Sequence, residues 1–239
     1  MADIRRQNAK SHAGFDAAIA AKQDRERQER LDRLERAVPK WLAFLLKPLL
    51  RSLWNGRQRG FQQQGQGGEK ILVGALRWRL DRRFTLCPDV VIQIGPDQFA
   101  QLDLVVVGIS SVFILEVKTW TGAIRATGTR WQRRVGNRWQ TTESPVRQQQ
   151  MHVHRFAQWL IQHHLPINST HVFAGIAMMN VQWLRTRDVP LSVFDRPSAV
   201  ARWIQTLDKA QPPLGPAVRT TLLEALVAGD TPAPLDAGP

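Results

Sequence analysis

Apolar and polar positions divide the chain into short strands in its middle and helices towards both ends. Glu69–Arg83 carries Leu72, Val73, Leu76 and Leu80 at helical spacing. Val90–Ile94 predicts a strand, closed by the turn Gly95-Pro96-Asp97. Gln101–Val107 and Val112–Thr119 predict two more, joined by the turn Gly-Ile-Ser-Ser. Ala123–Thr127, Arg130–Val135 and Arg138–Thr141 predict further short strands, with Gly136-Asn137 as a hairpin turn. Ser144-Pro145 then supplies an N-cap followed by proline at the first helical position, starting a helix that runs to about His164. His171–Met179 predicts an apolar strand, and Pro197–Leu207 and Pro216–Val227 predict two final helices. The pattern is that of an α/β protein.

The amino-terminal part differs. Asp16–Arg36 is rich in Ala, Gln, Arg and Glu and predicts a solvated helix supported by i,i+4 ion pairs. In Val38–Trp54, Lys40, Lys47 and Arg51 share one narrow helical stripe, and Trp, Leu and Phe fill the rest of the circumference. The run is shorter than the roughly 20 apolar residues of a membrane span and is broken by Lys47-Pro48. It reads as an amphipathic helix lying on a bilayer surface, or as one packed on the domain or in a homodimer. Arg57–Gly68 is a polar Gly/Gln linker. These shifts predict a basic helical extension over 1–60, a folded domain over 61–210, and a terminal helix with a loose tail over 211–239.

Composition narrows the class. Hydrophobic residues make up 43%, which places the chain among globular proteins. The formal net charge of +13 favours a polyanionic partner, either nucleic acid or an anionic membrane. Cys87 is the only cysteine, so no internal disulfide forms, and a reducing cytoplasm is expected. The start MADIRRQNAK lacks the apolar core of a signal peptide. With the amphipathic stretch, peripheral contact at the inner face of the membrane is the further expectation for location.

Three charges interrupt the apolar hairpin of Gln101–Thr119: Asp103, Glu116 and Lys118. Pairing symmetric about the turn couples Gly108 with Ser111 and, counting outward, Asp103 with Glu116. Lys118 shares their face, because strand side chains alternate. Directly opposed positions have Cβ atoms about 4.5–5.5 Å apart. Two carboxylates so placed repel, and neutralising either is expected to keep or raise stability. A divalent cation reverses the sign, since magnesium takes hard oxygen ligands. The plainer alternative is a surface pair of Glu116 and Lys118 with Asp103 solvated.

The wider sequence resembles the nuclease-related domain (NERD) family of the PD-(D/E)XK nuclease superfamily. The matching segments come in the family's order: Gly67-Gly68-Glu69, "QLDLVVV" at Gln101–Val107, "VFILEVKTWTGAI" at Val112–Ile124, Trp131, and "SPVRQQQMH" at Ser144–His152. Two positions depart from the usual pattern: Leu104 stands where histidine is usual, and Ser144 where asparagine is. The resemblance implies a three-layer, restriction-endonuclease-like core, with a mixed central β-sheet flanked by helices. It implies a Mg2+ site (Mn2+ as substitute) at Asp103, Glu116 and the Val117 carbonyl. It also implies that Lys118 activates water or stabilises charge at phosphorus, that Glu69 holds the metal or its water, and that Gln148 orients water or phosphate.

The activity so implied is Mg2+-dependent hydrolysis of DNA phosphodiester bonds, with no small-molecule cofactor. A catalytically silent nucleic-acid-binding or membrane-peripheral adaptor on the same fold is the alternative. Arg125, Arg130, Arg133, Arg134, Arg138 and Arg147, interleaved with Trp120, Trp131 and Trp139, form the expected nucleic-acid surface. Of these, Trp120 and Trp131 read as core, and the plainer alternative for the whole stretch is a solvated hairpin with core tryptophans. Zinc is not expected, because His152, His154, His163 and His164 lack a shared ligating face. Cys87 reads as a buried small residue.

Overall fold

The apolar runs pair into one mixed sheet whose hairpin is held from outside by two distant side chains. In the computed structural model the described residues are 1–37, 67–96 and 98–228. The Val38–Trp54 stretch, the linker up to residue 66, Asp97 and the tail from residue 229 lie outside them. The elements are β1 (Asp3–Ile4), α1 (Ala9–Ala37), α2 (67–79), β2 (Thr85–Gly95), β3 (Gln98–Val107), β4 (Val112–Lys118), β5 (Gly122–Thr127), β6 (Arg130–Val135) and β7 (Arg138–Thr142). They continue with α3 (Pro145–Gln162), β8 (Val172–Met178), β9 (Val181–Arg187), β10 (Ser192–Phe194), α4 (Pro197–Ala210) and α5 (Pro216–Ala228).

The larger sheet has the order β1-β2-β3-β4-β8-β10 and the smaller one β7-β6-β5-β9. Both mix parallel and antiparallel pairs. Alternation along β3 and β4 sends Val105, Val107, Val112 and Ile114 to one side, where they meet Phe156 and Trp159 of α3 and Leu222 and Leu226 of α5. Leu104, Val106, Phe113 and Leu115 go to the other side, against Leu72 and Leu76 of α2 and Val200 and Ile204 of α4. Helices therefore cover both faces of a mixed sheet, as expected. The small sheet packs Ile124, Ala126 and Trp131 against Val146, Ile176 and Met178.

Three strands were not expected from the sequence: β1, β9 and β10. The first matters for the domain plan. Asp3 and Ile4 pair in parallel with Thr85 and Leu86, and Ala2 is buried in the core. Gln7 exchanges two hydrogen bonds, each 2.8 Å, with the backbone of Val91. The first residues assigned to a separate extension thus complete the edge of the sheet. Deleting residues 1–8 should lower the melting temperature, and a thermal melt unchanged by that deletion would contradict this packing.

The β3–β4 turn has its own support. The Asp208 carboxylate of α4 accepts the backbone N–H groups of Ser110 (2.9 Å), Ser111 (3.0 Å) and, more weakly, Ile109 (3.4 Å). Arg219 of α5 donates to the Gly108 carbonyl at 2.9 Å. A Cβ on Gly108 would run into the Asp208 carboxyl, so glycine is required for this approach. Asp208 is 7% exposed. Asp208→Ala would strand these buried donors and should cost roughly 3 kcal/mol in a urea titration.

Candidate active site

The hairpin register is the expected one. Val107 pairs with Val112, Val106 with Phe113, Val105 with Ile114 and Leu104 with Leu115. The next step brings Asp103 to Glu116, and there the Asp103 side chain takes over from the ladder: its Oδ2 accepts the Val117 N–H at 2.7 Å. On the other flank, β2 pairs Pro88 with Leu104 and Val90 with Leu102. Asp89 lies between, at φ +54°, a left-handed conformation uncommon for any residue but glycine, asparagine and aspartate.

Helix α3 supplies the opposite wall by a match of two repeats. Four residues of helix rise about 6 Å, and two residues of strand about 6.6 Å. Gln148 and His152, one turn apart on α3, therefore reach Lys118 and Glu116, two apart on β4. Lys118 Nζ donates to Gln148 Oε1 at 2.9 Å and lies 2.5 Å from Glu116 Oε1. His152 Nδ1 lies 3.2 Å from Glu116 Oε2. That approach lacks hydrogen-bond alignment, leaving the buried Oε2 with no hydrogen bond among the described residues. Between these positions Gln149 anchors the helix, its Nε2 donating to Ile114 O at 2.6 Å. Ser144 occupies the N-cap position, but its hydroxyl makes no cap hydrogen bond and is buried without a partner among the described residues. The helix start is set by Pro145 and by Gln149 rather than by a serine cap.

Glu69 enters from the far side. A Cβ on Gly68 would collide with the Thr119 methyl, so only glycine lets the first turn of α2 lie against the end of β4. Gly68→Ala should push α2 away and lower the melting temperature, and Thr119→Ser in the same chain should restore it. Equal melting temperatures for Gly68→Ala and parent would contradict this placement.

The electrostatics separate the acids. Burial, then the negative charges of Asp89 and Glu116, pushes the Glu69 carboxyl up to about 7. Burial and the Glu116 charge push Asp103 up to about 8, against the opposing Val117 N–H. Burial also acts upward on Glu116, but His152 and Lys118 outweigh it and hold that carboxyl below the ordinary glutamate value. Burial and mutual repulsion therefore raise Glu69 and Asp103, while Glu116 alone is lowered by its cationic neighbours. Asp89 was not singled out from the sequence, and only the Pro88 before it gave a local signal.

Residues 64–174 match the nuclease-related domain family, and the matched span contains every residue of this constellation. The chain carries a NERD domain. No curated protein and no solved structure matches the chain. Within the NERD span the structure brings Asp103, Glu116, Lys118 and Gln148 together, with Glu69 close enough to feel Glu116 and Lys118. Among the described residues no three His, Cys, Asp or Glu side chains form a ready metal cage. Cys87 is buried, and burial pushes its thiol up to about 12, as suits a small core residue.

The arginines divide. Arg125 and Arg130 lie on the outer face of the small sheet, as does Arg134. Arg133 pairs with the buried Ile124 and so lies on the opposite face. Arg138 sits at the hairpin end of β7, and Arg147 in the first turn of α3, both exposed. Trp131 is fully buried and Trp120 packs edge-on against it, so both belong to the core. Among the described residues no helix is long and apolar enough to cross a membrane.

Proposed function

We propose that this NERD domain hydrolyses nucleic-acid phosphodiester bonds, DNA first among them, with magnesium or manganese as cofactor. The supporting observation is the position of Lys118 Nζ, within reach of both the buried Glu116 carboxylate and the exposed Gln148 amide.

The donor set suits a hard cation. Asp103 and Glu116 are adjacent oxygen donors on neighbouring strands, and Glu116 Oε2 is buried with no hydrogen bond among the described residues. Magnesium is commonly held by one or two carboxylates, with water completing its shell, so a three-acid cage is not required. The Val117 carbonyl and Glu69 are the further candidates for holding the ion or its water. When bound, magnesium supplies Lewis-acid polarisation of a phosphoryl oxygen. Lys118 places a positive charge where the phosphate gains negative charge in the transition state. Gln148, fixed by Lys118, presents its amide N–H to the phosphate or the attacking water.

A second reading has an observation behind it. Lys118 already neutralises Glu116, so the pair is also what a silent nucleic-acid-binding module on this fold would contain. A cleavage assay on plasmid, linear and single-stranded circular DNA separates the two. The nuclease reading expects nicking with magnesium and none with EDTA. Binding with no cleavage under either condition would leave the silent module in its place.

A further inference from the structure

The four-stranded small sheet turns one face to the core and the other outward. Its outward positions alternate with the buried Ile124, Ala126 and Trp131 and carry Arg125, Arg130, Arg134, Arg185, Arg187, Trp139 and Trp183. None of the outward positions on the four strands is Asp or Glu. Arg125 and Arg185 are direct neighbours across β5 and β9. Like charges at opposed positions cost stability, so this face is organised at some expense to the fold.

The two tryptophans make the face more than a charged patch. They belong to the two edge strands, β7 and β9, three strand spacings or about 14 Å apart. Their rings nevertheless approach to 6.2 Å between centroids. Ala123 pairs with Trp183 between them and leaves room for both rings to lean inward. The Arg125 guanidinium lies 4.4 Å from the Trp139 ring centroid. Trp183 stays 46% exposed, a large indole surface left in water.

We infer that this outer face of the β7-β6-β5-β9 sheet is a platform for single-stranded nucleic acid, with the arginines taking phosphates and Trp139 and Trp183 stacking on bases. Arginine alone would serve a duplex equally well, since phosphate contact is blind to strandedness. Exposed indoles are idle against a duplex, whose base faces are stacked, and they engage only unpaired bases. The inference rests on this face alone. It stands whether or not the carboxylate site cuts.

The test is fluorescence anisotropy of the full chain in EDTA, where no metal-dependent cleavage intervenes. The probes are a labelled oligothymidylate and a blunt duplex of the same length. The parent should bind the single strand at least tenfold more tightly than the duplex. Trp139→Ala with Trp183→Ala should weaken single-strand binding about tenfold or more and leave duplex binding unchanged. Trp183→Phe keeps a stacking ring and should stay within a few-fold of the parent. Arg125→Ala with Arg185→Ala should weaken binding of both probes and make the log–log salt slope shallower by about 1–2. Arg202→Ala, on the distant α4, should change neither. Equal affinity for the two probes overturns the inference without recourse to any variant. So does a folded double tryptophan variant with the parent's single-strand affinity, or binding to phosphatidylglycerol vesicles with none to the oligonucleotide.

Discussion

Asp103→Asn should make the metal-free protein more stable at pH 8, and Glu116→Gln should make it less stable. The sequence alone gave both acids the same sign, because two facing carboxylates repel. The structure separates them. Asparagine at 103 keeps an oxygen to accept the Val117 N–H and sheds a charge that burial and Glu116 oppose. Glutamine at 116 removes the buried anion that Lys118 and His152 face; its amide oxygen can still accept from Lys118, but the charge that offsets the ammonium is gone.

The pH dependence follows with a definite sign. The folded Asp103 carboxyl is raised from 3.8 to about 8. Its contribution to stability is full below pH 4 and is lost as the pH rises through about 8. The Asp103→Asn gain should therefore be near zero at pH 4 and grow as the pH rises towards 8. Glu116 is lowered. Its contribution is present above the ordinary glutamate range and is lost as the pH falls through its depressed folded value. Glu116→Gln should cost roughly 3–5 kcal/mol at pH 7, the range for removing one partner of a buried ion pair. Urea titrations of the two variants at several pH values in EDTA give both signs. A common sign at pH 8 would show that Lys118 and His152 do not hold Glu116 as described.

The legible part of this site was the part that local pairing determines. The β3–β4 register could be read because the hairpin is symmetric about Gly108 and Ser111, and Asp103, Glu116 and Lys118 followed from it. The spacing of Gln148 and His152 on one helix face could be read too. Their contacts to Lys118 and Glu116 could not, since they depend on how α3 lies across β4. Asp208 and Arg219 hold the turn from about a hundred residues away, and no local pattern announces them. The strand β9 was missed because its outward positions are Trp and Arg, so it lacks the apolar run that marked β8. Its parallel partner β5 is more than fifty residues earlier. Arg133 was grouped with Arg125 and Arg134 by proximity along the chain, whereas strand alternation puts it on the other face.

The second large effect concerns Lys118. Lys118→Ala removes the cation that the proposed reading sets beside the phosphate, and the partner of Gln148, but no oxygen donor. Cleavage should fall by about 10²–10³, as when one transition-state donor is lost, while magnesium affinity holds or rises. Stability should fall, because Glu116 loses its closest counter-charge. A variant that keeps the parent's cleavage rate would remove Lys118 from the chemistry. One that loses cation binding together with cleavage would place the amine in the metal site rather than beside it.

The most direct measurement is plasmid nicking by parent, Asp103→Asn and Lys118→Ala proteins across a magnesium titration, with calorimetric titration of the ion on the same samples. The account predicts cleavage by the parent that saturates with magnesium. It predicts neither binding nor cleavage for Asp103→Asn, and binding without cleavage for Lys118→Ala. Cleavage by Asp103→Asn at the parent's rate and magnesium dependence would contradict it.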